Sequence, residues 1–267
     1  MRDSVVILGA RGSVPTNKEE FHRYGGATTC IFLRLAGQIV VLDAGTGILN
    51  LPDVLREDEL EIPLLLSHPH VDHILGFLLC PTVFDRRRRF DVYAATRNGV
   101  DTEGQIRRLM SPPLWPVGPE VFPARVDFHP LPDRLTIGPV QVETMEGVHP
   151  GGVALMRLSG AGKRVGFVTD CTLTKELFPK VTDFFRDCDL LLCDGQYRED
   201  EWAHRADFGH STWTDAARLG AQSGAKLTRI IHHDPTRTDE ELDAAQQELQ
   251  KIYPQCGFAR AGEEIVV

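Results

Sequence analysis

Three leucines, Leu64 to Leu66, run straight into Ser67-His68-Pro69-His70-Val71-Asp72-His73, so an apolar strand ends by releasing four potential metal ligands within six positions. Packing alone does not explain that order of residue types. Two histidines two positions apart on extended backbone point to the same side, whereas Asp72 and His73 come where the chain bends away. Such a set suits two neighbouring cations better than one tetrahedral ion. The chain holds ten histidines in 267 residues, and three of them fall here directly behind a hydrophobic strand, so a histidine-rich surface loop is the poorer reading. The remaining ligands must come from other strand ends.

The motif, together with the segments flanking it along nearly the whole chain, resembles the metallo-β-lactamase superfamily of binuclear metallohydrolases, and within it the branch containing ribonuclease Z and related phosphodiesterases. The resemblance implies an α/β fold, a four-layer αββα sandwich, with residues 1–267 forming a single domain. It implies that His68, His70 and His149 hold one divalent metal ion, that Asp72, His73 and His232 hold a second, and that Asp170 bridges the two. These positions also read as strand ends. His149 comes after a strand over Val140–Met145 and sits beside Gly151 and Gly152; Asp170 ends a hairpin of Val153–Leu158 with Arg164–Thr169; His232 leaves Leu227–Ile231, with His233 as the fallback. A carboxylate can bridge because each oxygen can take one cation.

Gly209-His210-Ser211-Thr212 resembles the His-Ser-Thr motif of ribonuclease Z, whose histidine lies outside the metal ligands and faces the scissile phosphate. His210 is therefore expected to be catalytic, together with Asp72 and Asp194. A histidine beside an acid can be held protonated, to stabilise a developing oxyanion or donate to a leaving group. In ribonuclease Z the strand matching Leu190–Cys193 ends in His-Glu-Ala-Thr, whose glutamate supports that histidine; Asp194 stands here instead. That departure weakens a transfer RNA-processing assignment, as does the lack of a long Gly- and Lys-rich insertion. Asp43, ahead of a short helix reaching about Leu55, either orients the metal loop, as its counterpart does in the family, or accepts N–H bonds within its own turn.

Elsewhere, strands are expected at Val5–Leu8, Ile31–Leu35 paired with Gln38–Leu42, Asp91–Ala95 and Val126–Phe128, with Ala259–Val267 closing a sheet. Helices are expected over Gln105–Met110, Leu177–Phe185, Trp213–Ser223 and from Thr238 to about Tyr253. Gly9-Ala10-Arg11-Gly12-Ser13 lacks the spacing of a phosphate-binding loop. Arg86 to Arg89 is the one basic run, either a solvated edge or a contact for a phosphate-bearing substrate. The Pro-rich stretch around Trp115 lies where superfamily members place substrate loops, and Trp115 is equally suited to plugging the core.

No linker or repeat divides the chain, and 42% hydrophobic content is ample for one core. No stretch reaches the roughly 18 apolar residues of a membrane span, and the start lacks a basic region leading into an apolar run, so a soluble cytoplasmic protein is expected. The six cysteines form no CxxC pair and read as reduced core thiols. A net charge of -9 disfavours non-specific polyanion binding without removing a local basic patch.

Three function classes compete. The first is a phosphodiesterase acting on RNA ends, cyclic nucleotides or a small phosphodiester, with a metal-bridging hydroxide as nucleophile. The second is a lactone, thioester or β-lactam hydrolase, which needs the same metals but no anion-binding histidine. The third is a non-catalytic sensor or interaction module, set against by the complete ligand set. Oxygen-reducing diiron relatives usually carry an acid where this chain has His70, which ranks redox chemistry below all three. Zinc suits an imidazole-rich set, with manganese or iron as alternatives. The expected partners are a small-molecule or nucleotide phosphodiester, RNA without a dedicated arm to grip it, and a second copy of the chain in a homodimer.

Overall fold

The computed structural model describes residues 2–267. Among the described residues, fourteen strands form two sheets. The first contains β1 (Ser4–Gly9), β2 (Cys30–Leu35), β3 (Gln38–Leu42), β4 (Glu61–Leu66), β5 (Arg89–Ala94) and β6 (Arg125–Pro130). The second contains β7 (Arg134–Ile137), β8 (Val140–Gly147), β9 (Val153–Gly160), β10 (Lys163–Val168), β11 (Leu190–Asp194), β12 (Leu227–Ile231) and β13 (Cys256–Phe258). The last strand, β14 (Glu264–Val266), returns to the first sheet beside β1. The orders are β14-β1-β2-β3-β4-β5-β6 and β13-β12-β11-β10-β9-β8-β7.

Both sheets change character midway. From β14 to β3 every pairing is antiparallel, and from β3 to β6 every pairing is parallel. The second sheet repeats this, antiparallel from β7 to β10 and parallel from β10 to β13. The two switch strands, β3 and β10, lead into Asp43 and Asp170, both in left-handed backbone with φ of 58° and 44°. Aspartate tolerates that region better than most side chains. Parallel strands release their loops at one common edge, which is where functional residues gather in such sheets.

Alternation along the strands accounts for the layers. In β2 and β4, Ile31, Leu33 and Leu65 face the other sheet, where Met156, Phe167, Leu190 and Leu192 meet them. Their neighbours Phe32, Leu64 and Leu66 face outward and pack under Ile48, Phe77 and Ile106. On the far side Leu155, Leu191 and Cys193 pack under helices. The helices are α1 (Val71–Ile74), α2 (Thr102–Leu109), α3 (Phe178–Phe184), α4 (Glu199–Trp202), α5 (Trp213–Ser223) and α6 (Asp239–Ile252). Helices α3, α5 and α6 bury Val181, Leu219 and Leu242 against the second sheet. Two mixed sheets with helices outside them are the αββα sandwich.

Some expectations change. The segment after Asp43 is a 3-10 helix over Thr46–Asp53, with Pro52 inside it, rather than an α-helix to Leu55. The terminal segment closes the first sheet as expected, through Glu264–Val266 beside β1, whereas β13, just before it, is not anticipated from the sequence and edges the other sheet. Strand β7 is not legible in sequence, since two of its four residues are exposed. Nor is the basic run one exposed edge: Arg88 is buried against the Glu59 carbonyl, and Arg89 lies in β5, paired with Asp91 and Asp127. Trp115 packs against the outer cluster of the first sheet. All six cysteines are buried free thiols.

Candidate metal centre

Strand β4 delivers the first donors. After Leu66 the chain leaves the sheet, His70 caps α1, and Asp72 and His73 lie in that single turn. His149 comes after β8, Asp170 after β10, and His232 after β12 in left-handed backbone with φ 61°. These seven side chains, far apart in sequence, meet at the common edge of the two sheets. Donor atoms of His68, His70, His149 and Asp170 form one group within 4.8 Å of one another, and those of Asp72, His73, Asp170 and His232 form a second. Asp170 belongs to both.

Individual distances sharpen the picture. Asp170 Oδ1 lies 3.2 Å from His73 Nε2, while Oδ2 lies 3.6 Å from His68 Nε2 and 3.2 Å from His232 Nε2. Asp72 Oδ2 is 3.3 Å from His73 Nε2 and 3.1 Å from His232 Nε2. His70 Nδ1 and His149 Nε2 face each other at 2.9 Å. A tetrahedron with metal–nitrogen bonds of about 2.0–2.1 Å has edges of about 3.3 Å, so these spacings match donors arranged around a cation. His68 Nε2 is enclosed with no hydrogen-bond partner, a cost that a cation would remove. The donor set therefore fits divalent metal ions.

A layer of supporting contacts fixes each ring. Asp43 accepts hydrogen bonds from Ser67 N at 2.7 Å and Ser67 Oγ at 2.8 Å, and its Oδ2 faces His73 Nδ1 at 2.7 Å. Of the two uses left open by the sequence it serves the first, orienting the metal loop, since the N–H it accepts from belongs to Ser67 of that loop and not to its own turn. Ser67 Oγ also lies 3.0 Å from His68 Nδ1. His149 Nδ1 faces the Gly209 carbonyl at 2.9 Å, and His232 Nδ1 faces Gln196 Oε1 at 3.0 Å. In each pair the acceptor selects the tautomer that leaves Nε2 unprotonated toward the cluster. Ser13 N donates to Asp72 Oδ2 at 2.8 Å. Ser67, Gln196, Gly209 and Ser13 carry no assignment from sequence alone; the acceptor type of Gln196, close behind a strand ending in Asp194, is the one available signal.

Electrostatics reflect this crowding. Burial raises the carboxylates of Asp170 and Asp72, but the surrounding imidazoles outweigh it and hold both well below the usual range. Burial pushes His68, His70 and His149 down, which keeps them neutral and available as ligands. His233 turns away from the cluster, its Nε2 donating to the Ala259 carbonyl at 2.8 Å.

Behind the cluster stand Asp194 and His210. Asp194 Oδ2 lies 3.0 Å from His210 Nδ1 and accepts from Cys171 N at 3.1 Å, while Oδ1 accepts from Gln196 N at 3.1 Å. Burial lowers the His210 imidazole, but Asp194 more than compensates and raises it to about 9. Neither His210 nor Ser211 caps α5. That role belongs to Thr212, which accepts from Asp215 N, whereas Ser211 ties Leu173 N to the Cys171 carbonyl.

Comparison with known proteins agrees with this architecture. A ribonuclease Z from Treponema pallidum is 24% identical over 95% of this chain and 94% of its own length. Among solved structures, the metallo-beta-lactamase fold protein YhfI from Bacillus subtilis superposes with a TM-score of 0.74 at 18% identity, covering 99% of each chain. A diphosphatase from the PhnP family gives 0.70 at 17% identity over 99% of this chain and 97% of that one. A family model described as a beta-lactamase superfamily domain matches residues 39–233. With that match spanning most of the chain, this protein belongs to the beta-lactamase superfamily, as a hydrolase of the metallo-β-lactamase fold.

Proposed function

We propose that the chain is a phosphodiesterase in which His68, His70 and His149 hold one divalent cation, Asp72, His73 and His232 hold the other, and Asp170 serves both. Zinc suits the five imidazoles. Cations held there would supply Lewis-acid stabilisation of an attacked phosphoryl group and acidify a water.

The observation that carries the choice of a phosphodiester is the Asp194–His210 pair. His210 directs Nδ1 at Asp194, 3.0 Å away, and that carboxylate favours the imidazolium form, raising its pKa to about 9 against the opposing effect of burial. Its ring stacks on His232 at 4.7 Å and meets His149 edge to face at 5.3 Å, so this cation outside the donor set borders the cluster. A phosphoryl group accumulates negative charge on several oxygens, which a fixed cation stabilises, and Nε2 can protonate a departing alkoxide. Lactone or β-lactam hydrolysis makes no such demand. Similarity to ribonuclease Z over nearly the whole chain supports the same class.

The supporting residues act before any chemistry. Asp43, Gln196 and the Gly209 carbonyl hold their imidazoles in one tautomer and one orientation, so no reorganisation is needed when substrate arrives. The test is turnover of bis(p-nitrophenyl) phosphate by zinc-loaded protein. His210→Ala should lower kcat by about a hundredfold or more with metal content unchanged. Turnover of a lactone or thioester in place of any phosphodiester would discard the reading.

A further inference from the structure

Beside His70 the surface sinks into a cavity of about 270 Å³ lined by Pro69, Val71 and Ile74 of the metal loop, Leu109 of α2, and by Arg97 and Arg108. Among the described residues no carboxylate lines it, although the protein as a whole carries a net charge of -9. Arg97 comes after β5 in a tight turn through Asn98 and Gly99, both in left-handed backbone. Its side chain is 11% exposed, and Nη1 pairs with Glu146 at 2.6 Å. Nε and Nη2 are enclosed and have no hydrogen-bond partner. A guanidinium with these N–H groups unanswered is costly when desolvated, and once the Glu146 contact is released its fork can take two oxygens of an anion. Gln105, also on the wall, leaves Oε1 without a donor while its amide nitrogen binds the Ala95 and Val100 carbonyls.

Arg97 also abuts the turn that carries a candidate ligand. A Cβ at Gly152 would lie 2.4 Å from Arg97 Nη1, and Gly152 N closes the turn on the His149 carbonyl at 2.9 Å. The cavity therefore adjoins the donor cluster on the His70 side. Its volume is slightly below the roughly 300 Å³ at which small-molecule sites begin, which suits one nucleoside-sized group and no more.

We infer that this cavity is a specificity subsite for a terminal phosphate carried on a nucleoside-sized group, with Arg97 and Arg108 as its anion-binding residues. The inference rests on the phosphodiesterase reading for the adjoining centre and narrows its substrates to short diesters bearing a second phosphate. Entry of that phosphate requires the Glu146 contact, at a residue 60% exposed, to give way.

Calorimetric titration of the zinc-loaded protein with thymidine 3',5'-bisphosphate and with thymidine 5'-phosphate tests it without turnover. The bisphosphate should bind at least about tenfold more tightly. Arg108→Met, at an exposed position, should reduce that ratio, and Arg97→Lys combined with it should bring the ratio near one. Arg97→Lys keeps a charge in place, so a collapse of the ratio with an unchanged melting temperature reports lost bidentate geometry, not unfolding. Equal affinities in the unsubstituted protein, or a ratio that survives the double substitution, would overturn the subsite. Failure to hydrolyse bis(p-nitrophenyl) phosphate would instead remove the phosphodiesterase reading and leave the binding ratio standing on its own.

Discussion

The ring of His210 lies nearly parallel to that of His232, with centroids 4.7 Å apart and planes inclined by 18°. One ring of this pair is tied to Gln196 and the other to Asp194, so a candidate ligand imidazole and one paired with a carboxylate are stacked beside the donor cluster. Asp194 supplies the negative charge that faces the His210 ring.

The first prediction concerns that charge. In metal-free protein, NMR titration of the His210 ring should give a pKa near the about 9 set by Asp194 against the opposing effect of burial. Because this value lies above the roughly 6.5 of an unfolded chain, the pair stabilises the fold fully below pH about 6.5. The contribution, on the order of 3 kcal/mol, is lost as pH rises through about 9. Asp194→Asn should remove this alkaline limb from a plot of melting temperature against pH and return the imidazole to its ordinary range or below.

Asp43 accepts from Ser67 and faces His73 from a fully buried position. Asp43→Asn should therefore weaken metal binding by about 10–100-fold, read by competition with a chromophoric chelator, while Ser67→Ala should have a smaller effect. Unchanged affinity in Asp43→Asn would show that the loop alone orients the ring.

Removal of metal should be visible in stability. The cluster confines five imidazoles and two carboxylates, and His68 Nε2 is left without a partner. At free zinc about a thousandfold above Kd, the ion contributes about 4 kcal/mol to the folded state, which corresponds to a melting-temperature difference on the order of 10 °C. Calorimetric scans with and without chelator measure it.

Gly12 leaves room for a ligand ring. A Cβ there would sit 2.4 Å from His232 Nδ1, the atom that faces Gln196. Gly12→Ala should displace the imidazole and lower the metal content found by elemental analysis, with the far-UV circular dichroism retained.

The thiols should be silent. All six cysteines are buried, and burial raises Cys171, Cys188 and Cys256 to about 12. Ellman's reagent at pH 8 should label none in the native protein and all six in denaturant.

Legibility in the sequence obeys a physical rule. His68, Asp170 and His232 each stand close behind an apolar run, and His149 behind an alternating strand, so local pattern reveals both the strand and the residue it presents. Asp43 is equally visible, yet its two uses cannot be separated there, because a turn acceptor and a ring-orienting carboxylate look alike in sequence. The pairings of Gln196 and of the Gly209 carbonyl are beyond reach, since their partners lie 36 and 60 residues away and only the stacking of loops brings them together. The cavity beside His70 is hidden for the same reason, as its walls come from the metal loop, the Arg97 turn and α2. Strand β7 and the three-residue β13 escape notice because strands so short lack a clear alternation.

The repeated switch from antiparallel to parallel pairing divides the donors by sheet: His68, His70, Asp72 and His73 leave the first, and His149, Asp170 and His232 leave the second. Each cation would consequently act as a rivet driven through the seam between layers, and neither half of the chain could hold one alone. Loosening that seam from within, by emptying the space filled by Phe167, should thus be felt as leakage of metal well before the helices outside it begin to melt.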